Sequence, residues 1–145
     1  MMFNTILVAL DGSDHANKAL DTACSIAASN SSDLHLVHAA EIRPISMGSA
    51  SVVSVLPSNT LRKIGENLLS EAASRAKQSY GGEVTLHNIF DDSAPGNSIL
   101  ARAEEIGADL IVVGSLGHSD LAGLLLGSVS HRICNHAKCS CLVVR

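Results

Sequence analysis

Aromatic side chains are almost absent from this sequence: Phe3, Tyr80 and Phe90 are the whole complement, and there is no tryptophan. A core without rings must be filled by aliphatic and small side chains, so its elements have to approach one another closely to reach interior packing density. Platforms for stacking unpaired bases are missing too. The ten lysines and arginines are scattered along the chain, adjacent only at Arg62-Lys63, and the formal charge is -4. With no basic stripe to follow a phosphate backbone, nucleic acid is not expected as a partner. No apolar run approaches the roughly 18 residues of a membrane-spanning helix, so no membrane insertion is expected. Residues 1–10 read as a strand closed by Asp11-Gly12, without the charged start and cleavage site of a secretory leader, so a cytoplasmic address is expected. Cys24, Cys134, Cys139 and Cys141 are too few and too clustered for a disulfide framework, so reduced thiols are expected.

What is present is a chain of 145 residues, 46% apolar and 17% charged, the profile of one globular domain over residues 1–145. Thr5 to Leu10 is a continuous apolar run, as expected for a strand covered on both faces. Ser13 or Asp14 caps a helix whose Ala16, Ala19, Leu20, Ala23, Cys24, Ile26 and Ala27 recur at helical spacing up to Asn30. A second strand follows over Asp33 to Ala40, and Pro57-Ser58-Asn59 introduces a helix that ends at Gly81-Gly82. Val84 to Phe90 reads as the third strand, Ile99 to Ile106 as a short helix ended by Gly107, and Asp109 to Gly114 as the fourth strand. Ser128 opens the last helix, and Cys141 to Val144 forms the fifth strand. Buried strands alternating with helices predict a five-stranded parallel sheet with helices on both faces. The connection from Glu41 to Leu56 is irregular and far longer than usual, either a lid or a simple insertion.

In an open sheet with strand order 3-2-1-4-5, ligands bind beyond the carboxyl ends of the strands where the winding reverses, between the first and fourth strands. The residues expected there are Asp11-Gly12 and the glycine-rich stretch Gly114 to Ser130. Gly114 and Gly117 allow sharp turns and close approach, while Gly127-Ser128 lies where a helix begins and its first amides lack intrahelical partners. With the hydroxyls of Ser128 and Ser130 these amides form a cradle suited to phosphate. The spacing is that of neither a Walker loop nor a dinucleotide fingerprint.

The pattern Gly114-x2-Gly117-x9-Gly127-Ser128, together with Ile6 to Ser13 at the start and Leu142-Val143-Val144 at the end, resembles the universal stress protein family along the whole chain. The glycine spacing is similar to that of the family's ATP-binding branch. The resemblance implies a Rossmann-like sheet of the adenine nucleotide alpha hydrolase type and a site for ATP, ADP or AMP. It implies that Asp11 meets the nucleoside, Gly114 the ribose, and Gly117, Gly127, Ser128, Val129 and Ser130 the phosphates. Ala39 matches the position that in the family is often a valine read through its main chain by adenine. Magnesium or manganese would be carried mainly by the phosphates and water. Ser140-Cys141 stands where the family usually has Pro-Val, a departure that bears on the last strand and not on the nucleotide site. The resemblance also implies a homodimer, or a larger assembly, through the strand at 141–145, whose open edge invites pairing with another copy.

Simpler roles stand beside these. Asp11 can cap the turn before the first helix, and His118 can be a solvated loop histidine. His131, Cys134, His136 and Cys139 have the residue types of a metal site but match no standard zinc spacing. Between Gly114 and Ser130 there is no lysine or arginine, and only His118 and Asp120 titrate. Fast phosphoryl transfer needs more than that, so the expected function is a nucleotide-dependent regulator of an unidentified protein, with hydrolysis slow at most. A slow ATPase or self-phosphorylating enzyme is the catalytic alternative, and a nucleotide-free interaction module the third.

Overall fold

A computed structural model of the chain describes residues 2–42, 45–46, 53–54, 56–117, 123 and 125–145. Its elements are β1 (Thr5–Ala9), α1 (Asp14–Asn30), β2 (Asp33–Ala39), β3 (Ile45–Ser46), β4 (Val53–Ser54), α2 (Ser58–Ser79), β5 (Val84–Ile89), α3 (Pro95–Glu105), β6 (Leu110–Gly114), α4 (Ser128–His136) and β7 (Ser140–Val144). Five strands form one parallel sheet in the order β5-β2-β1-β6-β7, the 3-2-1-4-5 arrangement expected from the sequence. The antiparallel β3/β4 pair within the long connection was not foreseen, because two-residue strands carry no readable period.

Side chains on a strand alternate between faces, and this sheet is covered on both. Ile6, Val8, Leu34, Leu36, Leu110 and Val112 pack against α1 and α2, while Leu7, Val37, Ile111 and Val113 pack against α3 and α4. That is why β1 and β6 read as unbroken apolar runs. On α1 the face toward the sheet is Ala16, Ala19, Leu20, Ala23, Cys24 and Ala27, all buried, so the helix sits close over the strands with small side chains as spacers. Ser13 caps α1 by accepting from the Ala16 amide at 3.2 Å.

α3 begins one turn earlier than the hydrophobic spacing predicts, at Pro95 instead of Ile99. Proline at the first helical position has its ring angle preset and no N–H to lose, so the turn forms without apolar residues to advertise it. That extra turn carries Pro95 and Gly96 to the sheet edge where the cleft lies.

On the α3 side of the sheet, a short polar chain links two strands to a helix. His35 Nδ1 and His87 Nε2 lie 2.9 Å apart, and Arg102 Nη1 lies 2.9 Å from His87 Nδ1. A guanidinium can only donate, so His87 Nδ1 accepts, its Nε2–H donates to His35 Nδ1, and both rings are neutral. Burial, opposed by Asp33, holds His35 below the usual histidine range. Burial, then Arg102 and His35, do the same for His87, with Glu105 opposing. Arg102 Nε is itself paired with Glu105 at 3.0 Å. Since the folded state binds these protons more weakly than the unfolded chain, their contribution is complete above the ordinary histidine value of about 6.5 and is lost as pH falls from there through the lowered folded values. Thermal melts at pH 8 and pH 5 should therefore show a larger drop for the native chain than for the His35→Gln/His87→Gln variant. Equal drops would show that the pair does not supply the acid sensitivity.

Candidate functional site

The strands that diverge at the reversal of winding are β1 and β6, and a cleft of about 580 Å³ opens beyond their carboxyl ends. Its volume falls in the range usual for small-molecule sites. Ala9, Leu10 and Asp11 form one wall, His38, Ala39 and Glu41 extend it from β2, and Val113, Gly114, Leu116 and Gly117 come from β6 and the loop after it. Ser128, Val129, Ser130 and Arg132 come from α4, and Ala94, Pro95, Gly96 and Ile99 from α3. Thus Asp11, Ala39, Gly114, Gly117, Ser128, Val129 and Ser130, all singled out in the sequence, border one space. Gly127 does not.

Gly127 has an extended backbone, φ -74° and ψ 172°, and caps α4 without a side chain. Its N–H donates to the Ser115 carbonyl at 2.6 Å. The Ser130 hydroxyl donates to the same Ser115 carbonyl at 2.9 Å and lies 3.1 Å from the Gly127 carbonyl. The Ser115 N–H in turn donates to Val144 on β7 at 2.8 Å. The loop that leaves at Ser115 and returns at Gly127 is therefore closed at its neck and fastened to the sheet. Ser130, buried at 2% exposure, uses its hydroxyl proton to hold that neck, so its amide and not its hydroxyl is the donor it can offer to a ligand. His118 and Asp120 lie outside the described residues, as does most of the connection between 43 and 55.

Gly114 also has a structural reason for being glycine. A Cβ there would lie 2.7 Å from the His15 carbonyl carbon and 2.9 Å from the Ala16 nitrogen, so the first turn of α1 rests directly on the end of β6. The same contact brings the turn at Asp11 to Ser13 beside the glycine loop. Asp11 Oδ1 accepts from the Ser13 amide at 2.9 Å, which makes the turn-holding role real while the residue also borders the cleft.

The wall built by α3, and with it Arg132, His38 and Glu41, is what sequence reasoning missed. His38 Nδ1 lies 2.8 Å from the Leu10 carbonyl and ties the ends of β2 and β1 together. Proline and glycine at 95–96 mark a helix N-terminus, the one signal that points to this wall. The helix α3 and α4 N-termini both border the cleft, and neither has a side-chain cap. Their partly positive ends suit an anion.

Elsewhere, no three His, Cys, Asp or Glu side chains among the described residues converge as a metal site would require, so His131, Cys134, His136 and Cys139 are not drawn together. Burial, with Cys139 and Cys134 nearby, pushes the Cys141 thiol up to about 11, and burial likewise raises Cys139. Both shifts disfavour the thiolate, the nucleophilic form of cysteine. No helix among the described residues is long and apolar enough to cross a membrane.

Residues 2–145 match the profile of the family described as the universal stress protein family. Universal stress protein YxiE of Bacillus subtilis is 35% identical, with 99% of this chain and 100% of the relative aligned. Universal stress protein MJ0531 of Methanocaldococcus jannaschii is 31% identical over 99% of this chain and 83% of its own length. A solved universal stress protein in complex with cAMP has a TM-score of 0.75 at 30% identity and covers 100% of this chain and 99% of that one.

The crowding at Gly114 makes a direct prediction. Gly114→Ala forces main chain apart and should cost about 1–3 kcal/mol in urea denaturation without any ligand present. Unchanged stability would show that the α1 turn moves aside freely.

Proposed function

The chain belongs to the universal stress protein family, and from that premise we propose that it binds an adenine nucleotide, ATP in our reading, at the reversal of the sheet. The observation that carries this reading is the convergence of Asp11, Ala39, Gly114, Gly117, Ser128, Val129 and Ser130 on one cleft of about 580 Å³. The related structure in complex with cAMP supports the same ligand class. An acceptor-only carboxylate at Asp11 suits ribose hydroxyls, and the first-turn amides of α4 suit phosphate. Ala39 offers adenine its main chain, and with no Phe, Tyr or Trp among the described residues that line the cleft the base rests on aliphatic walls such as Ile99 and Val129.

Magnesium or manganese would be carried mainly by the nucleotide phosphates and water, and the hard carboxylate oxygens of Asp11 and Glu41 on the cleft wall fit such an ion. Bound with ATP, such an ion neutralises phosphate charge. The chain's own residues bind and orient, and hydrolysis is slow at most. ADP and AMP are accepted at the same place. Nucleotide binding changes the state of the protein, which presents or hides a surface for a regulated protein in the cytoplasm during the stress response.

The outer edge of β7 supports a dimer. Val144 turns its carbonyl toward Ser115 on the β6 side, so in an extended strand the N–H of Val143 faces the open edge, available to the same strand of a second copy. Val143→Pro removes that donor and should convert a dimer to monomer in light scattering while the melt stays cooperative. A native chain that is already monomeric would sink the pairing.

The binding reading is tested by heat-denaturing the purified protein and chromatographing what is released, then titrating refilled protein with ATP, AMP and cAMP. Asp11→Ala should weaken ATP binding about tenfold or more, as loss of a charged hydrogen-bond acceptor does, and lower nucleotide-free stability only by the roughly 0.5–1.5 kcal/mol of the lost turn hydrogen bond to Ser13. Gly117→Val should weaken it as well. Single-turnover ATP labelling should leave the nucleotide intact on the binding timescale. Unchanged affinity in both variants would falsify the placement.

A further inference from the structure

Among the described residues that line the cleft, Arg132 is the one lysine or arginine, and its surroundings hold it in a set position. Arg132 stands four residues after Ser128 on α4, which puts both on one helix face. Helical side chains lean back toward the N-terminus, so Arg132 sweeps over the first turn, the turn whose amides border the cleft. Its stem lies against α3 at a glycine: a Cβ on Gly96 would come 2.9 Å from Arg132 Cγ and 3.0 Å from its Cβ. Its Nε donates to Asn97 Oδ1 at 2.7 Å. With Nε committed, the guanidinium plane is fixed and the two Nη groups remain, the pair that grips a phosphate with parallel hydrogen bonds. The same space receives the N-termini of α3 and α4, whose partly positive ends add to the pull of the guanidinium on an anion, against the carboxylates of Asp11 and Glu41 that also line the cleft.

We propose that Arg132, positioned by Asn97 and the Gly96 notch, senses the number of phosphates on the bound nucleotide by gripping a phosphate beyond the first. The inference rests on the nucleotide reading of the cleft and adds its selectivity: nucleoside di- and triphosphates are retained over monophosphates and nucleosides. The cation that the glycine loop lacks is supplied from one turn further along the helix. Asn97 acts through Arg132 and is a positioning residue.

The test is calorimetric titration of the full chain and of Arg132→Gln, Arg132→Lys and Asn97→Ala with ATP, AMP and adenosine, at low and at high salt. Arg132→Gln should weaken ATP by about tenfold or more, the scale of a charge-assisted pair. AMP should lose less and adenosine nothing. Arg132→Lys should recover part of the ATP affinity, because charge is kept while the two-pronged grip is lost. Asn97→Ala should lower ATP affinity less than Arg132→Gln does, with adenosine again unaffected. The gap between the native chain and Arg132→Gln should narrow at high salt. Arg132 is exposed, so all variants should melt as the native chain does. Equal losses for ATP and adenosine would overturn the proposal, because they would place Arg132 on the base or in the packing of the cleft. No loss for ATP would overturn it too. A native chain that binds none of the three ligands overturns the nucleotide reading and this inference together, and the native titration alone separates that result from failure at Arg132.

Discussion

Where a side chain would leave Gly114, the space is already taken by the main chain of α1, with His15 carbon only 2.7 Å from the position a Cβ would occupy. This contact lets the helix after β1 begin directly over the end of β6, two strands that are neighbours in the sheet but more than a hundred residues apart in sequence. From it follow the placement of the Asp11 turn beside the glycine loop and the short path across the reversal of the sheet. The loop itself is then closed by Ser115, whose carbonyl receives both the Gly127 amide and the Ser130 hydroxyl. A bulky residue at either place would separate parts that the cleft needs close together.

The same economy of volume runs through the body of the molecule. With three aromatic residues in the chain, helices are seated by alanine on α1 and by glycine at Gly96, where the Arg132 stem fits against α3. Close seating has two effects. It reaches interior density without rings, and it brings helix N-termini and main-chain amides to the edge of the cleft instead of holding them back behind large side chains. The scarcity of aromatics is thus a property of the core and of the site together.

Strands and helices were legible in the sequence because each has a period, and the order of the sheet was legible because buried strands alternating with helices leave few arrangements. The glycine spacing placed the loop and the start of α4. What could not be read were contacts whose partners lie far apart in the chain. Nothing local says that Gly96 faces Arg132, that Asn97 takes the Arg132 Nε, or that His38 reaches the Leu10 carbonyl. The first turn of α3 was missed because proline stabilises it without an apolar stripe. Gly127 and Ser130 show the converse limit. Their residue types are those of a phosphate cradle, yet the Gly127 amide and the Ser130 hydroxyl serve the neck of the loop.

That division of labour bears on why the cleft is read as a place for binding more than for turnover. A group accelerates a reaction by interacting more strongly with the transition state than with the bound substrate. Several polar groups at this cleft are already committed to protein partners: Ser130 to Ser115, Arg132 Nε to Asn97, His38 Nδ1 to Leu10, and one oxygen of Asp11 to the Ser13 amide. Such commitments fix the shape of the cleft in advance, and a preorganised shape reduces the ordering cost of binding. They also leave less freedom for a side chain to follow charge as it moves between ground state and transition state. On the nucleotide reading, a guanidinium pinned at Nε and presenting Nη1 and Nη2 distinguishes one phosphate chain from a shorter one without needing to cleave either. The sequence shows a loop without a cation, and the fold supplies one from α4 in a posture that favours recognition.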